Sequence, residues 1–211
     1  MEKENNIIKR YRFLEKIELT KHDIIARGGE RDCYIHPLDS TKVIKIMYET
    51  NGIMAYNGAR NDIEYKYFKF LEKSNTPFSH ITKCYGFVET NVGKGLVFDK
   101  VYDYNGQTST SFLDILMQKK LTKKKENNMI LELKEYIFEN NILFIDYGLD
   151  NILCCQYEKD NYKLIIIDGL GSKRNGFKLW LYLNSKIYTK YKIITQWKKL
   201  LRLIERVKIE R

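Results

Sequence analysis

Five side chains carry most of the chemistry this sequence can offer: Lys45, Glu64, Asp146, Asn151 and Asp168. Asp146 is followed five residues later by Asn151 in the run Leu143-Phe144-Ile145-Asp146-Tyr147-Gly148-Leu149-Asp150-Asn151-Ile152-Leu153. A carboxylate there can take a proton from an acceptor hydroxyl, and an amide oxygen can ligate magnesium. Asp168 ends the apolar run Leu164-Ile165-Ile166-Ile167 and precedes Gly169, which suits a second metal-binding carboxylate. Lys45 sits inside Val43-Ile44-Lys45-Ile46, and an ammonium buried in such a run requires a carboxylate or phosphate nearby. Glu64, in the next predicted helix, is the carboxylate placed to hold it. Gly28 and Gly29 fall between two predicted strands, where glycines let backbone amides approach phosphate oxygens. Each feature has a plainer reading: a turn, an edge-strand lysine in solvent, a polar loop. Taken in this order they point to phosphoryl transfer from ATP with Mg²⁺.

The elements that must position these groups change character along the chain. The first part reads as strands around one helix. Residues 33–36 and 42–48 look extended, and residues 61–73 carry Ile63, Tyr67, Phe70 and Leu71 at helical spacing. Strands over 81–90 and 95–101 are joined by the turn Asn91-Val92-Gly93-Lys94. Residues 111–119 and 126–140 are predicted helical, and residues 152–156 and 163–167 form a strand pair around Glu158-Lys159-Asp160-Asn161. Lys45 and Asp168 are expected on adjacent buried strands. The remainder from Phe177 is helical in pattern. Strands first and helices second, with no linker between them, is an α+β chain of two lobes. The expected division is 1–102 for the sheet-rich lobe and 103–211 for the helical lobe.

The order of pieces is similar to that of protein kinases, with a Val-Ala-Ile-Lys-like strand, a helix glutamate, an Asp-x-x-x-x-Asn loop and a strand-end Asp-x-Gly. Two stretches are more specific. Ile25-Ala26-Arg27-Gly28-Gly29-Glu30-Arg31-Asp32-Cys33-Tyr34-Ile35-His36-Pro37 and Val88-Glu89-Thr90-Asn91-Val92-Gly93-Lys94-Gly95-Leu96-Val97, with Asn151-Ile152-Leu153, resemble the YrbL family of bacterial proteins over residues 20–175. That family's expression is under the magnesium-responsive PhoP regulator, and its members look like small, divergent kinases. The resemblance implies a two-lobed protein-kinase-like fold, with a small antiparallel-sheet N-lobe and a reduced helical C-lobe, in a bacterial regulatory or envelope-stress setting. It names no acceptor. The chain also departs from the protein-kinase pattern. Phe144 and Ile145 replace the His-Arg before the catalytic Asp, Ala26 stands where a first loop glycine belongs, and no Ala-Pro-Glu follows Asp168. These departures, with only 43 residues after Asp168, disfavour peptide substrates, and analogy with other compact kinase-like enzymes makes small molecules, sugars or lipid-linked saccharides the expected acceptors.

Composition narrows the partners. The chain has 211 residues, 44% of them hydrophobic and 30% charged, as in globular domains, with only 2 prolines. No apolar run is long enough to span a bilayer and the first residues hold no apolar signal core, so a cytoplasmic protein is expected. The four cysteines lack Cys-x-x-Cys spacing and the three histidines stand apart, which argues against zinc and thiol exchange. A Cys–His36 nucleophile has no local signature. Of 37 basic and 27 acidic side chains, residues 173–211 hold 12 basic and 2 acidic, so the whole net charge of +10 lies there. An anionic partner is implied, either a lipid surface peripheral to the inner membrane or a phosphorylated acceptor. No nucleic-acid motif is present. Three readings follow: an ATP- and Mg²⁺-dependent phosphotransferase using Asp146 and Lys45 as catalytic groups, Gly28, Gly29, Lys45 and Glu64 around the nucleotide and Asn151 and Asp168 on the metal; a pseudokinase that binds nucleotide and regulates a partner; or an anion-binding protein acting through the basic C-terminal helices.

Overall fold

The computed structural model describes residues 16–50, 53–54 and 60–211. Two compact units form, one from Met1–Asn61 with Cys84–Asp99, the other from Asp62–Lys83 with Lys100–Arg211. The helix Arg60–Lys73 therefore groups largely with the second unit, whereas the sequence division at 102/103 assigns it to the first.

The first unit is built on an antiparallel sheet. Its strands are β1 (Ile24–Arg27), β2 (Arg31–Ile35), β3 (Lys42–Met47), β6 (Cys84–Thr90) and β7 (Gly93–Asp99), in the order β1-β2-β3-β7-β6. Two short strands, β4 (Glu49–Thr50) and β5 (Ile53–Met54), pair with each other. β3 is central, and every residue from Val43 to Met47 is buried, which is why it reads as an unbroken apolar run around one lysine. Ile44, Ile46 and Val97 pack with Ile17, Leu19 and Tyr34 in the core. The β6–β7 hairpin turns through Asn91–Val92 as expected, with Thr90 opposite Gly93. β6 begins at Cys84 rather than at residue 81, and β7 runs Gly93–Asp99 rather than 95–101.

The second unit is mainly helical. It contains most of α1 (Arg60–Lys73), then α2 (Phe112–Met117), α3 (Lys123–Glu139), α4 (Phe177–Asn184) and α5 (Lys186–Glu210). Side-chain caps set several boundaries more sharply than hydrophobic spacing does. The Ser111 hydroxyl accepts from Asp114 N and the Thr122 hydroxyl from Lys125 N, so α2 starts after Ser111 and α3 starts at Lys123. Ser185 divides the C-terminal stretch into two helices and caps the second. α5 buries Ile193, Trp197, Leu200, Ile204 and Val207 on one face; each such side chain contributes roughly 1.5–3 kcal/mol. A second sheet, ordered β10-β9-β8, joins β8 (Thr110–Ser111), β9 (Ile152–Glu158) and β10 (Asn161–Ile166). Lys45 and Asp168 are thus not on adjacent strands: Lys45 is on β3, and Asp168 lies two residues beyond β10 in another sheet. Among the described residues, no helix is long and apolar enough to cross a membrane.

Candidate functional site

Within the second unit, main-chain pairing gathers three of the expected residues. After α3, Asn141 takes φ +52° and the chain turns into the extended segment 142–146. This segment pairs antiparallel with residues 169–171. Ile145 N and Asp146 N both donate to Gly169 O, at 2.9 and 3.1 Å, Gly171 N donates to Leu143 O at 2.9 Å, and Phe144 bridges Leu170. A short 3₁₀ turn, Leu149–Asn151, then brings Asn151 back so that its Nδ2 donates to Asp146 O at 2.9 Å. Ile167 N donates to Asn151 O at 2.9 Å. Asp146, Asn151 and the Asp168–Gly169 corner form one hydrogen-bonded set.

Two glycines make that set possible. Gly169 has φ +85°, and a Cβ there would lie 2.5 Å from the Asp146 carbonyl oxygen and 3.0 Å from Phe144 Cε2. Its N–H donates to Asp168 Oδ1 at 2.6 Å, which turns the carboxylate at the corner. Gly171, at φ +82°, lets the chain pass against the ring of Tyr67, whose Cγ would stand 2.9 Å from an added Cβ. The Tyr67 hydroxyl in turn accepts from Leu143 N at 2.7 Å, and burial pushes its acidity well out of reach. From α5, Gln196 Nε2 donates to Ile145 O at 2.8 Å. The segment before Asp146 is held by side chains of two helices as well as by its strand partner.

Exposure separates the roles. Phe144 and Ile145 are buried, and the Asp146 side chain is 54% exposed, open to an incoming hydroxyl. Lys173 Nζ stands 3.6 Å from Asp146 Oδ1, an exposed pair of small energetic weight that nonetheless places a cation beside the carboxylate. Glu64 is 1% exposed on α1.

The first unit carries Gly28, Gly29 and Lys45 on the β1–β2–β3 meander. Lys45 is 6% exposed, with Nζ 4.6 Å from the centroid of the Phe98 ring. The backbone of β3 at this point is tied by buried polar groups: Asn61 Nδ2 donates to Lys45 O at 3.0 Å, and Arg31 Nη1 donates to Asn61 Oδ1 at 2.9 Å. The glycine turn is also tied down. Gly28 N donates to Arg31 O at 2.9 Å, so that amide is engaged within the hairpin. The Tyr48 hydroxyl lies 3.1 Å from Gly28 O and 2.7 Å from Gly29 O. Arg27 makes two bonds of 2.6 and 2.7 Å to the buried Asp32 carboxylate and sits over the Tyr48 ring. The sequence assigns no role to Tyr48, Asn61, Lys173 or Gln196. Tyr48, Asn61 and Lys173 lie close to the motifs and Gln196 does not, and all four act through pairings that spacing does not reveal.

None of the four cysteines is in a disulfide, and burial pushes the Cys154 thiol up to about 12.

Comparisons with known proteins agree with this geometry at the level of fold and family. The solved structure of Rad53 residues 1–466 in complex with AMP-PNP is similar, with a TM-score of 0.50 at 18% identity, over 79% of this chain. The match spans 43% of that longer chain, and the likeness shows a kinase-like fold. YrbL of Escherichia coli (strain K12) is 28% identical over 159 residues, covering 74% of this chain and 73% of that protein. YrbL of Shigella flexneri matches to the same extent. The family profile described as "PhoP regulatory network protein YrbL" matches residues 17–205, nearly the whole of the described chain, and with that extent of match the chain belongs to the YrbL family.

Proposed function

We propose that this chain is an ATP- and magnesium-dependent phosphotransferase acting on a hydroxyl of a small-molecule, sugar or lipid-linked acceptor. The observation that supports the reading best is the backbone pairing of residues 143–146 with 169–171, which holds Asp146, Asn151 and the Asp168 corner as one set. Asn151 and Asp168 offer only oxygen donors for a metal, as magnesium prefers. Among the described residues no group of three or more His, Cys, Asp or Glu gathers as a metal cage. That fits magnesium held partly by phosphates and water, with one or two protein oxygens completing the site. Magnesium-ATP, when bound, supplies the phosphoryl group and offsets its charge. The chain's residues do the rest. Asp146 takes the proton of the acceptor hydroxyl, the Lys173 ammonium adds positive charge beside that oxygen, and Lys45 binds phosphate oxygens from an anchored strand. Membership of a family named for a regulatory network supports a regulatory setting for the reaction.

The rival reading, a nucleotide-binding regulatory module without catalysis, draws on Phe144 and Ile145, which are 4% and 8% exposed and send no polar group toward Asp146. Calorimetry with a nonhydrolysable ATP analogue, with and without magnesium, tests binding; absence of heat in both overturns both nucleotide readings. Lys45→Met is expected to weaken binding. Asp146→Asn is expected to leave affinity nearly unchanged while lowering phosphate transfer or ATP hydrolysis at least a hundredfold, on the order of general-base contributions. Wild-type rates in that variant remove Asp146 as the base, and binding without any turnover leaves the regulatory module.

A further inference from the structure

The buried face of α5 leaves an opposite face that carries an unusual combination of groups. Ile187, Tyr191, Ile194 and Ile209 are 85%, 67%, 44% and 83% exposed and recur along one row of the helix. Lys198 and Glu205 fall within the same row by helical spacing, with Lys190 to one side and Arg202 and Arg206 to the other, so cations outnumber the single acidic group. α4, which ends one residue before the capping Ser185, exposes a stacked pair, Phe177 and Trp180, with centroids 5.7 Å apart. Single exposed apolar residues mean little, but a row of them on a helix is a contact surface.

The charges point to what covers it. Lys190, Lys192, Lys198, Lys199, Arg202 and Arg206 make no ion pair with any described residue, whereas Lys208 and Arg211 of the same C-terminal stretch both bond the buried Glu126. Lys192 is held below its ordinary value by partial burial and by the neighbouring Lys199 and Lys178, so cations crowd here without an anion between them. A second copy of this chain would set like charges against like. A nucleic acid would meet the cations and could stack on Tyr191, Phe177 and Trp180, but would leave Ile187, Ile194 and Ile209 without an apolar partner. A bilayer rich in anionic lipid answers both features, since phosphate headgroups meet the lysines and arginines while Ile187, Tyr191 and Ile194 enter the interface.

We infer that the outward face of α5, continued by α4, docks the protein on an anionic lipid surface, lying along it without crossing it. This goes beyond phosphotransfer and does not depend on it.

The test uses the full chain and two kinds of vesicle, phosphatidylcholine alone and phosphatidylcholine mixed with phosphatidylglycerol. Cosedimentation is expected with the mixed vesicles only, and it should fall steeply as salt is raised. Each interfacial cation contributes roughly fivefold to such binding, so neutralising Lys198, Lys199 and Arg202 together to Gln should weaken it about a hundredfold. Ile187→Ser with Tyr191→Ser keeps every charge and should weaken binding by at least tenfold. All five positions lie on the exposed face, and unchanged melting temperatures certify the fold. Equal binding to both vesicles, binding to neither, or mixed-vesicle binding untouched by either variant set overturns the proposal. So does tighter binding to duplex DNA or RNA than to vesicles, or concentration-dependent self-association that accounts for the sedimentation.

Discussion

Replacing Gly169 by alanine puts the architecture of the candidate site to a quantitative test. The residue sits at φ +85°, where an L side chain costs roughly 1–2 kcal/mol in backbone strain. The new Cβ would also lie 2.5 Å from the Asp146 carbonyl oxygen, a main-chain atom that cannot swing aside. Relief requires parting the two segments, which weakens the bonds from Ile145 N and Asp146 N to Gly169 O; each is worth about 1 kcal/mol. The variant should therefore lose about 3 kcal/mol, with the Asp146 main chain displaced from Asn151 Nδ2 and from Gly169. Gly29→Ala is the matched control. Its Cβ would meet nothing within 4 Å and its φ is not positive, so the substitution should be neutral or gain about 0.4–1 kcal/mol from a stiffer unfolded chain. Urea unfolding followed by circular dichroism measures both. A Gly169→Ala variant within about 0.5 kcal/mol of wild type, the range of ordinary surface changes, would refute the reasoning.

Two further outcomes follow from buried charge. Glu126 is fully buried, and hydrogen bonds from Arg211 and Lys208, both 2.8 Å away, more than offset burial and hold its carboxyl below the ordinary 4.5. Glu126→Ala leaves both cations without their carboxylate and should cost about 3 kcal/mol in denaturant unfolding, the low end for a broken buried pair because Arg211 keeps its bond to Leu116 O and the Lys208 side chain can turn toward water. His36 is 1% exposed, and burial lowers it from its ordinary 6.5. The unfolded chain binds that proton first, so stability should fall as pH drops below about 6.5, and His36→Gln should flatten the slope of melting temperature against pH below that point.

What the sequence reveals here is what lies close together along it. The β6–β7 hairpin, the β9–β10 pair and the apolar run around Lys45 announce themselves through turn residues and β-branched side chains, and the helix of residues 61–73 through its spacing. Asp146, Asn151 and Asp168 were legible because strand, loop and hairpin place them within a short stretch. The groups that hold them were not. Tyr67 bonds Leu143 across 76 residues, Gln196 bonds Ile145 across 51, and Arg211 bonds Glu126 across 85, distances at which no local periodicity carries information. Tertiary contact also moved expectations: the residues expected to begin β6 turn elsewhere, with Ile81 bridging Ile166 and Thr82 N donating to Ile166 O. Phe144 and Ile145 look like losses against a protein-kinase pattern, yet the pairing they take part in is made by main-chain atoms and tolerates apolar side chains there.

The glycine turn of the first unit bears on the phosphate role proposed for it. Glycine-rich turns pay a large entropic penalty when a ligand orders them, and the penalty usually appears as slow or weak capture. Here the ordering has already happened. The Gly28 N–H is closed on Arg31 O, the Tyr48 hydroxyl reaches the carbonyls of Gly28 and Gly29, and Arg27 is locked onto Asp32. With the Gly28 N–H already used inside the hairpin, the phosphate contact proposed for this turn must come from elsewhere on it, and under that proposal the turn has little further freedom to lose. Tyr48→Phe, which keeps the ring beneath Arg27 and removes only the hydroxyl bonded to the Gly28 and Gly29 carbonyls, should leave the turn looser.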